Sequence, residues 1–171
     1  MTLLKLAEKQ VAFLKMGLYG PQGSGKTKTA GLVLIGLHRM LKAKSPIAMF
    51  DTETGSDYIV DDFKEAGIPL MVHKSRSFAD LVAILREVQG GGYFGFLADS
   101  VGHPWEDLML AAKIKAGVTR LSYYMFGPIK ERWNEEYALP WLNAKLHCII
   151  CGRLRTLIEE EVDEKGVKTL T

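Results

Sequence analysis

Cysteine is almost absent: the 171-residue chain has two, Cys148 and Cys151, in one C-x-x-C. Such a pair can serve as a redox couple or as half of a metal site, but no second pair exists to complete a zinc site. Its setting, Leu146-His147-Cys148-Ile149-Ile150-Cys151, reads as a buried strand, on which positions three apart point to opposite faces. Both thiols are therefore expected in the core. Proline is also scarce, at 6 residues, and there is no repeat, low-complexity tract or linker. With 47% hydrophobic and 25% charged residues, this composition excludes collagen-like, mucin-like and wholly disordered chains. Long apolar runs are missing: stretches such as 31–37 and 146–151 fall far short of the roughly 20 residues that span a bilayer, so no transmembrane helix and no membrane partner are expected. The first thirteen residues carry Lys5, Glu8 and Lys9 and lack the apolar centre of a signal peptide, which points to the cytoplasm. An excess of one charge is missing too. The 22 Lys and Arg against 20 Asp and Glu leave +2, so a nucleic-acid partner would have to be met by a local basic patch.

What is present suits one α/β domain over 1–171, with 1–12 as an N-terminal extension. Short runs rich in β-branched and aromatic residues, at 13–19, 47–51, 70–73, 93–99 and 146–151, alternate with segments of helical period at 26–41, 56–66, 78–88, 104–115 and 128–143. Alternation of this kind predicts a mainly parallel sheet flanked by helices. Ser77 and Asp80 suit a helix start, Gly67 and Gly90-Gly91-Gly92 suit helix ends, and Pro46 and Pro69 precede strands. Residues 153–171 read as a C-terminal β-hairpin turning at Asp163-Glu164-Lys165-Gly166, with Glu159, Glu160 and Glu161 as a solvated, aggregation-resistant edge.

Gly20-Pro21-Gln22-Gly23-Ser24-Gly25-Lys26-Thr27 matches G-x-x-x-x-G-K-[ST] in full, between a predicted strand and a predicted helix. A loop that wraps a phosphate must aim consecutive backbone N–H groups inward, which glycine allows at little cost. Lys26 would supply an ammonium to the β- and γ-phosphates and Thr27 a hydroxyl to Mg²⁺, while the helix N-terminus favours the negative charge. Such a site also needs a carboxylate at a neighbouring strand tip. Tyr93-Phe94-Gly95-Phe96-Leu97-Ala98-Asp99-Ser100 delivers Asp99 as the second Mg²⁺-holding residue, with Ser100 hydrogen-bonding nearby. A helix cap is the alternative role for Asp99. Hydrolysis requires a group that orients or deprotonates water, and Glu53, after the strand ending in Phe50-Asp51-Thr52, fits. Asp51, two residues earlier, shares its face if the strand persists; a solvated loop carboxylate is the alternative for Glu53.

The succession of Gly20 to Thr27, then Phe50-Asp51-Thr52-Glu53-Thr54-Gly55-Ser56, then Leu97-Ala98-Asp99-Ser100 resembles the RecA-like P-loop ATPases. It looks most like the small RecA-like nucleotide-binding proteins of bacteriophages that act in DNA recombination and single-strand annealing. The Trp-containing segment 128–141 and Cys151-Gly152-Arg153 are similar as well. This resemblance implies ATP and Mg²⁺ as cofactors, Glu53 and Lys26 as catalytic residues, Asp99 as the Walker B acid, Thr29 among the nucleotide contacts, and Asp57 and Tyr58 against the adenine. It implies single-stranded DNA and a homo-oligomeric ring or filament as partners, the host cytoplasm as location if a phage encodes the chain, and a further strand or tail beyond Thr171. The polar sensor, often Gln, that such ATPases carry after the strand ending Ile150-Cys151-Gly152-Arg153 is replaced here. Arg153 or Arg155 is then the candidate phosphate sensor, in its own site or a neighbour's.

DNA in that fold is held by loops after the Walker B strand and the next one, where cations interleaved with aromatic rings are expected. Lys113, Lys115, Arg120, Tyr123 and Tyr124 meet that description, with Gly117 to bend the chain. A solvated helix face with both tyrosines packed on the core is the competing reading. Lys130, Arg132 and Trp133 fit a DNA contact and helix surface plus core equally, and His103 and His147 read as structural. Two other functions share the phosphate loop. One is a small-molecule kinase, for which only Arg153 and Arg155 resemble a lid; the other is an ATP-binding assembly module with little hydrolysis.

Overall fold

A computed structural model describes Leu6 and residues 11–154, 160–162 and 168–170. Five strands, β1 (Lys15–Gly20), β2 (Ile47–Asp51), β3 (Leu70–Lys74), β4 (Gly95–Asp99) and β5 (His147–Arg153), form an all-parallel sheet ordered β1-β5-β4-β2-β3. Parallel neighbours require crossovers, and helices supply them: α1 (Lys26–Met40), α2 (Val60–Glu65), α3 (Phe78–Gln89), α4 (Gly102–Ala116), α5 (Phe126–Trp133) and α6 (Leu139–Asn143). The fold is therefore α/β, as expected.

Every residue of β2 and β4 is buried, as befits central strands covered on both faces. Alternate side chains feed two cores. Ala48, Phe50, Phe96 and Ala98 pack with α3 and α4, whereas Ile47, Met49 and Leu97 pack with Ala30, Leu34 and Phe63. Cys148 lies in the first core and Cys151 in the second, both as free thiols, so the strand period places them as expected. Burial pushes the Cys151 thiol up to about 12, reinforced by the nearby Asp99 charge, which leaves it inert.

Register brings the strand tips level. Gly20 pairs with Arg153, Asp51 with Asp99, and Asp99 with Cys151, so these tips share the carboxyl edge of the sheet, where ligands of open α/β sheets bind. Ser77 caps α3 by accepting from the Asp80 N–H (3.3 Å), and Gly117 ends α4 in the left-handed conformation.

Two predicted helices are broken. The 56–66 segment splits into a 3₁₀ turn, Gly55–Tyr58, and α2. Asp51 anchors the 3₁₀ turn through the Ser56 N–H and hydroxyl, and the run breaks at Ile59, whose φ of −121° lies outside the helical range. The 128–143 segment begins at Phe126 and passes through a π turn, Asn134–Ala138, between α5 and α6. Pro140 has no N–H for the Glu136 carbonyl and its ring crowds that oxygen, so the ladder shifts there. The Glu160–Val162 backbone pairs antiparallel with Lys168–Leu170, while the predicted turn at 163–166, Glu159 and Arg155 lie outside the described residues. Among the described residues, no helix is long and apolar enough to cross a membrane.

Candidate functional site

Most of the buried polar residues gather at the sheet's carboxyl edge: Asp51, Thr52, Ser56, Asp99 and Ser100 are each at most 6% exposed. Buried polar groups need partners, and the partners here are one another. The loop joining β1 to α1 takes Gly23 at φ 77° and Gly25 at φ 80°, where a Cβ would be strained. Lys26 Nζ reaches back along this loop and donates to the carbonyls of Gly20 (3.1 Å) and Pro21 (2.8 Å). One residue on, the Thr27 hydroxyl donates to Asp99 Oδ2.

Burial pushes the Asp99 carboxyl up; the Thr27 hydrogen bond and the Lys26 charge oppose this, but the nearby Glu53 and Asp51 charges reinforce it, and the net shift is upward. Asp99 does not cap α4, whose N-cap is Val101, two residues further on. Packing at this point is tight. A Cβ built on Gly55 would fall 2.8 Å from Asp99 Oδ2 and 2.9 Å from Thr27 Cγ2, so only glycine fits beside the pair.

Asp51 is turned to a structural task. Its carboxylate accepts from the N–H groups of Glu53 (2.9 Å), Gly55 (3.0 Å) and Ser56 (2.9 Å) and from Ser56 Oγ (2.6 Å). Burial alone would raise its pKa, but these hydrogen bonds together hold it below the ordinary carboxylate value. They also fold residues 51–56 into the bend that carries Glu53.

Glu53 is 20% exposed and is held at Oε1 by three groups: Arg153 Nε at 2.6 Å, Ser100 Oγ at 3.0 Å and His103 Nδ1 at 3.6 Å. Burial raises its pKa, but the Arg153 and Ser100 hydrogen bonds and the charges of Arg153 and His103 outweigh it and keep Glu53 ionised below its usual range. A solvated loop carboxylate is thus excluded. His103, left as structural in the sequence reading, stands beside Glu53. It also shares a 2.8 Å hydrogen bond with Thr52 Oγ1, and its neighbourhood with Glu53 spans fifty residues of chain with no local signal.

A cavity of about 390 Å³ opens over these groups, lined by Gln22, Gly23, Ser24, Gly25, Lys26 and Thr27 together with Glu53, Gly55, Tyr58 and Asp99. Thr29 stands outside it, exposed in the first turn of α1 with its N–H bonded to the Gly25 carbonyl (2.9 Å). Tyr58 lines the cavity and is 79% exposed, while Asp57 pairs with Lys74 (2.8 Å). The oxygen donors, a hydroxyl and a buried carboxylate that face each other, suit a hard divalent cation completed by phosphate and water oxygens. Among the described residues no cluster of three His, Cys, Asp or Glu could hold a metal alone.

Lys113 and Lys115 occupy the last turn of α4 and Arg120 the exposed segment beyond Gly117. Tyr123 and Tyr124 are 87% and 88% exposed, edge to face with centroids 6.0 Å apart, so neither packs on the core. No family model matches the chain, and no curated protein matches it.

Proposed function

We propose that the chain is a RecA-like P-loop ATPase that binds ATP with Mg²⁺, hydrolyses it, and works on single-stranded DNA as a homo-oligomer. The observation that carries this reading is the convergence of Lys26, Thr27, Asp99 and Glu53, from three strand tips, on one cavity beside a glycine loop. The strand order, with β5 between the loop strand and the Asp99 strand, is consistent with a RecA-like layout.

Thr27 and Asp99 would hold the cation, which supplies charge neutralisation across the β- and γ-phosphates. Lys26 exchanges the Gly20 and Pro21 carbonyls for phosphate oxygens, with the backbone N–H groups of the loop completing the cradle. Glu53 orients a water toward the γ-phosphorus. As the new P–O bond forms, the bond to the β-bridging oxygen breaks, ADP leaves with that electron pair, and the water proton passes to Glu53 and then to solvent.

In calorimetric titration with Mg-ATP, Lys26→Ala should abolish tight binding and leave the thermal transition in place; unchanged affinity would overturn the assignment. An ATP-binding assembly module with little turnover is favoured by one observation, the Arg153 contact that occupies Glu53. Phosphate release measured with and without single-stranded DNA separates the two.

A further inference from the structure

A larger cavity, of about 720 Å³, lies on the other side of Glu53. Its volume falls within the roughly 300–1,000 Å³ of small-molecule sites. The three groups that hold Glu53 Oε1, Arg153, Ser100 and His103, all line this second cavity, whereas Glu53 lines the first. Glu53 and its partners thus form the wall between two chambers.

We propose that the larger cavity binds a nucleotide unit, a planar base with its phosphate, and that occupancy draws Arg153 off Glu53. The aromatic side is built. Trp133 stacks on Phe78 (centroids 5.5 Å apart, 25° between planes), meets Trp105 edge-on (5.4 Å, 90°) and is backed by Tyr137 (4.9 Å), so the ring is fixed before any ligand arrives. Both indoles line the cavity and offer a base a stacking surface. Asn134, at the start of the π turn, and Glu106 border the same space, giving amide and carboxylate groups suited to the polar edge of a base. Lys130 adds an exposed ammonium that has no carboxylate partner among the described residues. With Arg153 it provides two cations for a phosphate.

Coupling follows from competition for one guanidinium. Arg153 lines the cavity with its side chain 35% exposed, and can fork to a phosphate more readily than it can serve two anions at once. Once it moves, Glu53 keeps the weaker Ser100 and His103 contacts and is released to accept a proton from water. The coupling rests on the role proposed above for Glu53; the binding does not.

Lys26→Ala, which silences the glycine loop and lies outside this cavity, serves as the binding probe. Its tryptophan fluorescence is titrated with dTMP, with a twelve-residue oligothymidylate, with an abasic strand of equal length and with inorganic phosphate. Quenching by dTMP and the oligothymidylate is expected, with at least tenfold weaker responses to the abasic strand and to phosphate. Tighter binding of the strand than of dTMP marks a strand unit, and equal binding marks a free nucleotide. Lys130→Glu, which leaves the core untouched, and Trp105→Leu should each weaken the response at least tenfold; parent affinity in both overturns the site, as does equal binding of phosphate alone.

For the coupling, Arg153→Gln in the otherwise unchanged chain should raise unstimulated phosphate release several-fold, abolish its response to the oligonucleotide, and move the acidic limb of the pH–rate profile upward. Parent basal rate with parent stimulation overturns the latch. A chain that binds no ATP would overturn the proposed function while the fluorescence titration still judged the cavity.

Discussion

Arg153 Nε stands 2.6 Å from Glu53 Oε1, so the carboxylate best placed to activate water is ion-paired within its own chain. A carboxylate held below its usual pKa is a weak base, so the Arg153 contact would oppose the chemistry proposed for Glu53. Glu53→Gln separates binding from turnover. The amide keeps the shape and can still meet Ser100, but it accepts no proton. ATP affinity is expected within a few-fold of the parent, with phosphate release lower by about 10²- to 10⁴-fold. A variant that hydrolyses at the parent rate would place the base elsewhere.

Asp51 is expected to contribute to the acid sensitivity of the fold. Its folded-state pKa lies below the unfolded value of about 3.9, so its contribution is complete above that value and is lost as pH falls through the folded-state pKa. Glu53 shifts the same way, whereas Asp99, raised by burial, works against stability once ionised. Asp51→Asn strips the charge from an acceptor of four hydrogen bonds at a residue 1% exposed. Denaturant titrations should show a loss of about 1–3 kcal/mol at neutral pH and a flatter fall of stability below about pH 4.

The parts of this site that were legible in the sequence are those set by neighbours along the chain. Strand, glycine loop and helix follow within a few residues from Gly20 to Thr27, the β2 bounds match residue for residue, and the Ser77 cap needs only Asp80. Partners chosen by the folded chain were not legible. The meeting of His103 and Arg153 at Glu53 depends on the sheet register that sets β5 beside β4. Likewise, the split of the 56–66 helix falls at Ile59, φ −121°, next to a turn that Asp51 anchors through Ser56, and neither leaves a local mark in the sequence.

Gly55 tests how closely the two halves of the proposed cation site must approach. Alanine there would press its Cβ against Asp99 Oδ2 at 2.8 Å and Thr27 Cγ2 at 2.9 Å, both on backbone fixed by β4 and α1. Overpacking of this kind costs about 1–3 kcal/mol. Gly55→Ala is expected to lower the unfolding midpoint and to weaken Mg-ATP binding at least tenfold, because the hydroxyl and carboxylate are pushed apart. Calorimetry with Mg²⁺ present and absent checks this: a parent-like gain in affinity from Mg²⁺ would show that the pair is not the cation site.

The single-stranded DNA binding proposed at the far end of α4 would have its own signature. Lys113 and Lys115 sit in the last helical turn, Gly117 ends it at φ 66°, and the exposed Arg120, Tyr123 and Tyr124 follow. If the three cations track a phosphate backbone, each contact releases condensed counterions, and affinity falls steeply with salt. Replacing all three with alanine should flatten the log–log salt slope by roughly 2, at about 0.7 per contact. Tyr123 and Tyr124 face solvent with their rings edge to face, so a base can stack on either without disturbing the core. Tyr123→Ala or Tyr124→Ala should weaken binding by about 1–3 kcal/mol at every salt concentration, leaving the slope alone. Oligothymidylate isotherms across a salt series, with ATP and then with ADP, distinguish the two effects. An unchanged slope in the triple variant would remove this segment from the DNA site, because a cation that contacts phosphate cannot be lost without changing the counterion count.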